Sequence, residues 1–196
     1  MAILPIRLLG DPVLRQQTRA IESVNNELKQ LIADMMETMH NAAGVGLAAP
    51  QVGYLEQFFV VDISPFLDEI PEDSRDNIPE QPMVLINPEI TWESEEEEEF
   101  EEGCLSIPDI RELVVRPEAV QLTYQDENMQ DHELAVDGIL ARVIQHEYDH
   151  LEGLLFTDHL SSFRRGILKR KLEGISQGKT EATYPVQSYS RHQKTS

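Results

Sequence analysis

The chain of 196 residues has a single cysteine, Cys104, so no disulfide can form within it. A lone cysteine is a small buried hydrophobe, a reactive thiol or a metal ligand, and its neighbours decide which. Long apolar runs are lacking too. Stretches such as Phe58–Val61 and Leu113–Val115 are strand-sized, far short of a membrane span. The opening residues Met1–Pro5 show neither a charged region followed by an apolar one nor an Arg- and Ser-rich import leader. A cytoplasmic protein with no membrane partner is expected. Positive charge is scarce: Lys+Arg number 16 against 36 Asp+Glu, for a net charge of -20. Such a chain repels DNA and anionic membranes. Self-repulsion of this size also suggests salt-rich surroundings. The average misleads in one place, where Arg164, Arg165, Lys169, Arg170 and Lys171 cluster.

What is present fits an ordinary globular protein, with 40% hydrophobic residues and a mean hydropathy of -0.37. Residues 1–178 are expected to form one compact domain. The polar residues 179–196 are expected to be a poorly ordered tail. From Asn25 to about Ala43, Leu28, Leu31, Ile32, Met35 and Met39 recur at three- and four-residue steps, which predicts a helix stopped by Gly44. Residues 57–63 read as a strand, and 64–82, with its prolines and acidic residues, as an exposed loop. Further strands are expected at 83–91, 98–107, 112–116 and 119–125. The Glu95–Glu99 run reads as a solvated loop or a charge-guarded edge strand. Helices are predicted from Gly138 to about Leu151, with Gly153 as the cap, and from Ser161 to about Glu173.

The first of these two helices contains His146-Glu147-Tyr148-Asp149-His150. Four residues along a helix advance about 6 Å and rotate about 40° past one turn, so both imidazoles can converge on one cation. Glu147 can reach a metal-bound water without being a ligand. A catalytic site of this kind needs a third protein ligand and an open position. Peptidases with an extended version of the motif place a third His where this chain has Phe156. Others use a later Glu, for which Glu173 is the candidate at suitable distance, although its basic neighbours favour a surface role. Cys104 remains as the other candidate.

Cys104 lies in Glu102-Gly103-Cys104-Leu105-Ser106-Ile107-Pro108, and a second unusual block reads Gly44-Val45-Gly46-Leu47-Ala48-Ala49-Pro50-Gln51. With Gln145-His146-Glu147-x-Asp149-His150, these blocks resemble the three signature motifs of the peptide deformylases, in the same order. The opening Gly10-Asp11-Pro12-Val13-Leu14-Arg15 is similar to that family more weakly. The final helix resembles the bacterial type that ends in one. The resemblance implies a metal-dependent hydrolase that removes the formyl group from the N-terminal formyl-methionine of new polypeptides, releasing formate. A zinc metallopeptidase of the His-Glu-x-x-His type is the alternative.

The resemblance also implies roles. Cys104, His146 and His150 would hold one divalent metal ion, Fe(2+) first, with Zn(2+), Ni(2+) or Co(2+) accepted. A thiolate with two neutral imidazoles suits such a borderline-soft ion. Glu147 would take a proton from water and pass it to the leaving amine. The Leu105 backbone N–H and the Gln51 amide would meet charge on the formyl oxygen. Helix geometry puts Ile139, Arg142 and Val143 on the His146 face, where with Val45 and Gly46 they would line a methionine pocket. Gly46 would let substrate backbone approach closely. Arg142 would lay its stem along the wall with its guanidinium turned outward. Gly103 and Arg111 would touch the peptide further along, and the Arg164–Lys171 cluster would contact the ribosome. The implied fold class is α+β, with antiparallel β-sheets packed around a central helix carrying His-Glu-x-x-His, and a C-terminal helix.

Overall fold

The computed structural model describes residues 2–75 and 78–189. A short strand β1 (Ile6–Arg7) precedes helix α1 (Asn26–Asn41). The Asn25 side chain caps α1 by accepting the Leu28 N–H at 2.8 Å, occupying a donor that the first turn leaves free. Leu28, Leu31, Ile32, Met35 and Met39, the periodic stripe, are all buried. The helix ends where Ala43 turns to a φ of 51° just before Gly44.

Strands β2 (Gly46–Ala48) and β3 (Phe58–Val61) follow, then the short helix α2 (Glu72–Arg75) inside the acidic connection expected as a loop. Next come β4 (Met83–Glu93), the hairpin β5 (Glu97–Cys104) and β6 (Ile107–Pro117), and the hairpin β7 (Ala119–Gln125) and β8 (Asp131–Asp137). Helix α3 (Gly138–Leu151), helix α4 (Ser162–Ser176) and a final strand β9 (Val186–Gln187) complete the described chain.

The main sheet is antiparallel, in the order β2-β3-β4-β7-β8. Side chains alternate across a strand, so β3 sends Phe58 and Val60 to the α1 side and Phe59 and Val61 to the α3 side. Both faces are covered, which is why β3 is apolar throughout. The β5–β6 hairpin is a separate two-stranded sheet. Its Ile107, Ile110 and Val114 form a third cluster with Leu155, Phe156 and Ile175 at the α3–α4 end of the molecule. The Glu95–Glu99 run falls at the start of β5, with its glutamates turned to solvent.

The expected fold class needs correction. The molecule is mixed α+β, and one of its sheets, β1 with β9, is parallel. The group able to hold a metal is Cys104 with His146 and His150, not a His-Glu-x-x-His motif on a central helix. The physical reason is that one helix face presents only two imidazoles, and the third donor arrives from the end of β5. Residues 179–189 also differ from a loose tail. Thr180, Tyr184 and Val186 find partners across the molecule, and β9 pairs with β1 through Ile6 and Val186. Residues 190–196 of the expected tail lie outside the described residues. Strand β8 returns from the turn at residues 126–128, and His132, Leu134 and Val136 carry its two-residue alternation.

Candidate active site

Three elements deliver the functional side chains. Helix α3 is buried along its length between the main sheet and the hairpin, and it projects His146, Glu147 and His150. The β5–β6 turn carries Cys104 and Leu105. The segment after α1, held in the main sheet as edge strand β2, brings Val45, Gly46 and Gln51.

The Cys104 Sγ lies 3.2 Å from Nε2 of His150, and one donor atom each from Cys104, His146 and His150 lies within 4.8 Å of the others. Burial pushes the Cys104 thiol up, but the His150 and His146 imidazoles outweigh it and bring it down to about 5. A thiolate at neutral pH is what a divalent ion requires of a cysteine. The donor set therefore fits a metal. His146 is oriented for this by Glu102, whose carboxylate meets Nδ1 at 2.8 Å and leaves Nε2 for the cluster. Phe156, where the extended peptidase motif has its third His, is buried and stacks beside the His146 ring at 6.1 Å.

Glu102 itself is buried in an ion network. Arg116 donates to it at 2.6 and 3.1 Å, and Arg142 donates at 3.0 Å. Burial opposes its charge, yet the His146 and Arg116 hydrogen bonds hold its carboxyl well below the usual range. Arg116 reaches on to Asp149 at 2.8 Å, which also meets His159 at 2.7 Å. Glu102 and Asp149 stand inside the signature motifs, whereas Arg116 lies outside them. Its one available signal was an Arg on the strand paired with the Glu102 strand.

Arg142 departs from expectation. Its guanidinium is turned inward and buried, donating to Glu102, to the Val114 carbonyl at 3.0 Å and to the Glu98 carbonyl at 2.7 Å. It also lies 5.8 Å from the Phe100 ring centre. Enough acceptors converge there to replace its water, so the outward course along the wall is not taken.

Gln51 is buried and fixed at both ends. Its Oε1 accepts the Ala48 N–H at 2.8 Å, and its Nε2 faces Ser106 Oγ at 3.3 Å and Cys104 Sγ at 3.5 Å. Glu147 is buried, and among the described residues its Oε2 has no hydrogen-bond partner. Burial pushes its carboxyl up to about 7, against the pull of His146 and His150. Gly46 packs directly on it, and a Cβ there would collide with the Glu147 carboxylate. The space over Gly46 thus belongs to Glu147, which is a stronger reason for glycine than substrate approach.

These groups open into one cleft of about 620 Å³. Val45, Gly46, Gln51, Gly103, Cys104, Leu105, Arg111, Ile139, Arg142, Val143, His146 and Glu147 line it, while His150 stands behind the wall. Phe66, Phe100 and Glu181–Tyr184 also line it, and sequence reasoning had not placed them there. Glu173 is far from this arrangement in character, exposed on α4 beside Lys169 at 4.0 Å. Among the described residues no helix is long and apolar enough to cross a membrane.

A buried thiolate and two imidazoles beside a proton-carrying carboxylate, at the floor of a half-apolar cleft, define a metal-dependent hydrolase. Residues 3–166 match the family described as Polypeptide deformylase. A peptide deformylase of Salinibacter ruber is 53% identical over 184 residues, 94% of each chain. The crystal structure of a peptide deformylase from Legionella pneumophila matches with a TM-score of 0.78 and 38% identity, over 91% of this chain and 98% of that one. That of the Ehrlichia chaffeensis peptide deformylase matches at 0.81 and 33%, over 90% and 98%. The chain belongs to the polypeptide deformylase family.

Proposed function

We propose that Cys104, His146 and His150 hold one divalent ion, Fe(2+) by preference with Zn(2+), Ni(2+) or Co(2+) as substitutes. The reaction is hydrolysis of the formyl group from the N-terminal formyl-methionine of newly synthesised polypeptides, with release of formate. When bound, such an ion acidifies water and polarises a carbonyl oxygen.

The remaining work falls to the chain. Glu147 accepts the proton of the attacking water and delivers it to the amine that leaves, a shuttle suited to a carboxyl pushed up to about 7. The Leu105 N–H and the Gln51 amide stabilise the charge that grows on the formyl oxygen. Val45, Gly46, Ile139, Arg142 and Val143 line the space for the methionine side chain, with Gly103 and Arg111 further along the peptide. The basic cluster Arg164, Arg165, Lys169, Arg170 and Lys171 on α4 supplies the contact with the ribosome, where the nascent substrate emerges.

One observation carries this reading: a cysteine from a hairpin turn meets both histidines of a helix beside a buried glutamate oxygen that has no partner among the described residues. The test is formate release from a formyl-Met peptide, assayed without oxygen and with iron supplied, in wild type and Cys104→Ser. The variant is expected to bind metal poorly and to be nearly inactive. A full metal complement with normal turnover in Cys104→Ser would remove Cys104 from the ligand set.

A further inference from the structure

The segment after α4 forms part of the cleft wall, through Glu181–Tyr184. It is a strap tied down at both ends. At its start, Thr180 Oγ1 and the Glu181 N–H both donate to Asp109 Oδ2, at 2.9 and 3.1 Å. At its far end, the Ile6 and Leu8 N–H groups donate to the Pro185 and Gln187 carbonyls, each at 2.9 Å. Between these anchors the Tyr184 ring is half-buried against the α1 cluster, and its O–H donates to the Leu105 carbonyl at 2.9 Å. The residues matched to the family end at 166, so the strap lies outside them.

Leu105 and Ser106 form the tight turn between β5 and β6, where Cys104 pairs with Ile107. A two-residue turn has few backbone hydrogen bonds of its own, and side chains hold this one from both sides. Gln51 reaches the Ser106 hydroxyl, and Tyr184 holds the Leu105 carbonyl. A phenol stays protonated at any working pH, so this O–H is a permanent donor. The Leu105 carbonyl and N–H flank one Cα, so fixing the first restricts the direction of the second. Hydrogen bonds weaken steeply with angle, and a donor that wanders loses much of its effect on a developing charge.

We propose that the strap of residues 179–187 is a working wall of the cleft, and that Tyr184 on it is a positioning residue that aims the Leu105 N–H at the formyl oxygen. This rests on the reading of Leu105 as an oxyanion donor. Tyr184→Phe keeps the ring and removes only the O–H. The experiment uses the full-length, iron-loaded protein with a formyl-Met-Ala substrate, measuring kcat, KM and bound metal together. The expected result is a kcat lowered on the order of tenfold per bound ion, less than the 10²–10³ for deleting a donor outright. KM and metal content should stay within about twofold, because ground-state binding is untouched. Unchanged kcat overturns the proposal. So does activity lost only in proportion to lost metal, which would make Tyr184 a purely structural tie. Absence of formate release in the wild type would strike the deformylase reading instead.

Discussion

Glu147 and Gln51 occupy opposite ends of the same chemical task, and their surroundings separate their effects. The Glu147 carboxylate is buried against Gly46 and close to the His146 and His150 imidazoles. Glu147→Gln fills the same space without carrying a proton. It is expected to retain bound metal and to lose nearly all turnover; metal loss in this variant would show that the carboxylate holds the site together. Gln51→Ala removes an amide whose other end is spent on the Ala48 N–H. A fall of about 10²–10³ in kcat with little change in KM is expected, and a change confined to KM would reassign Gln51 to substrate binding. The convergence of His146 and His150 was legible in the sequence because helical spacing alone dictates it. Cys104 was legible only through its motif, since no periodicity connects a strand end to a helix. The inward course of Arg142 was not legible. Its acceptors, Glu102 and the Val114 and Glu98 carbonyls, are distant in sequence, and helix geometry shows only which face a residue shares.

At the scale of elements, α1 and α3 were legible because a 3.6-residue stripe states both the helix and its buried face. The β1–β9 pair was not, since two-residue strands carry no pattern. The connection from α3 to α4 shows how such unpatterned pieces are held. Arg15 Nη1 meets Asp158 Oδ2 at 2.5 Å, and Asp158 also accepts the Leu155 N–H. Partial burial raises the Asp158 carboxyl, but the hydrogen bonds from Arg15 and the Leu155 N–H, with the nearby Arg15 charge, together outweigh it and the net shift is downward. A carboxyl depressed in the folded state adds stability above its unfolded value of about 3.9, lost as pH falls through the folded value. Asp158→Asn is therefore expected to melt below wild type at neutral pH, with the gap closing in acid below that range. A gap that persists there would assign the effect to packing. Helix α4 invites a different measurement. Arg164 pairs with Glu112, and Lys171 donates to the Asp109 carbonyl, so Lys169 and Arg170 are the residues to reverse without disturbing this frame. Lys169→Glu with Arg170→Glu should weaken co-sedimentation with ribosomes while leaving hydrolysis of free formyl-Met peptides intact. Unchanged co-sedimentation removes the proposed contact.

Over the whole molecule the charge of -20 is unevenly spent. In the network behind the cleft the charges are balanced: Glu102 and Asp149 are answered by Arg116 and Arg142. The excess is at the surface, as in Glu97, Glu99 and Glu101, exposed along one face of β5 opposite Pro117, Val115 and Leu113. Like charges along an exposed strand guard a two-stranded sheet against pairing with another chain, and they also repel one another. Salt distinguishes the two populations of charge, because the Debye length shrinks from about 10 Å at 0.1 M to about 3 Å at 1 M while buried pairs are screened far less. The melting temperature should therefore climb by several degrees from low to molar NaCl. Replacing Glu97, Glu99 and Glu101 together by Gln should raise the low-salt value and flatten the climb. If the wild type responds to salt no more than this variant does, surface repulsion is not what limits its stability, and the acidic face of β5 serves only to keep its edge unpaired.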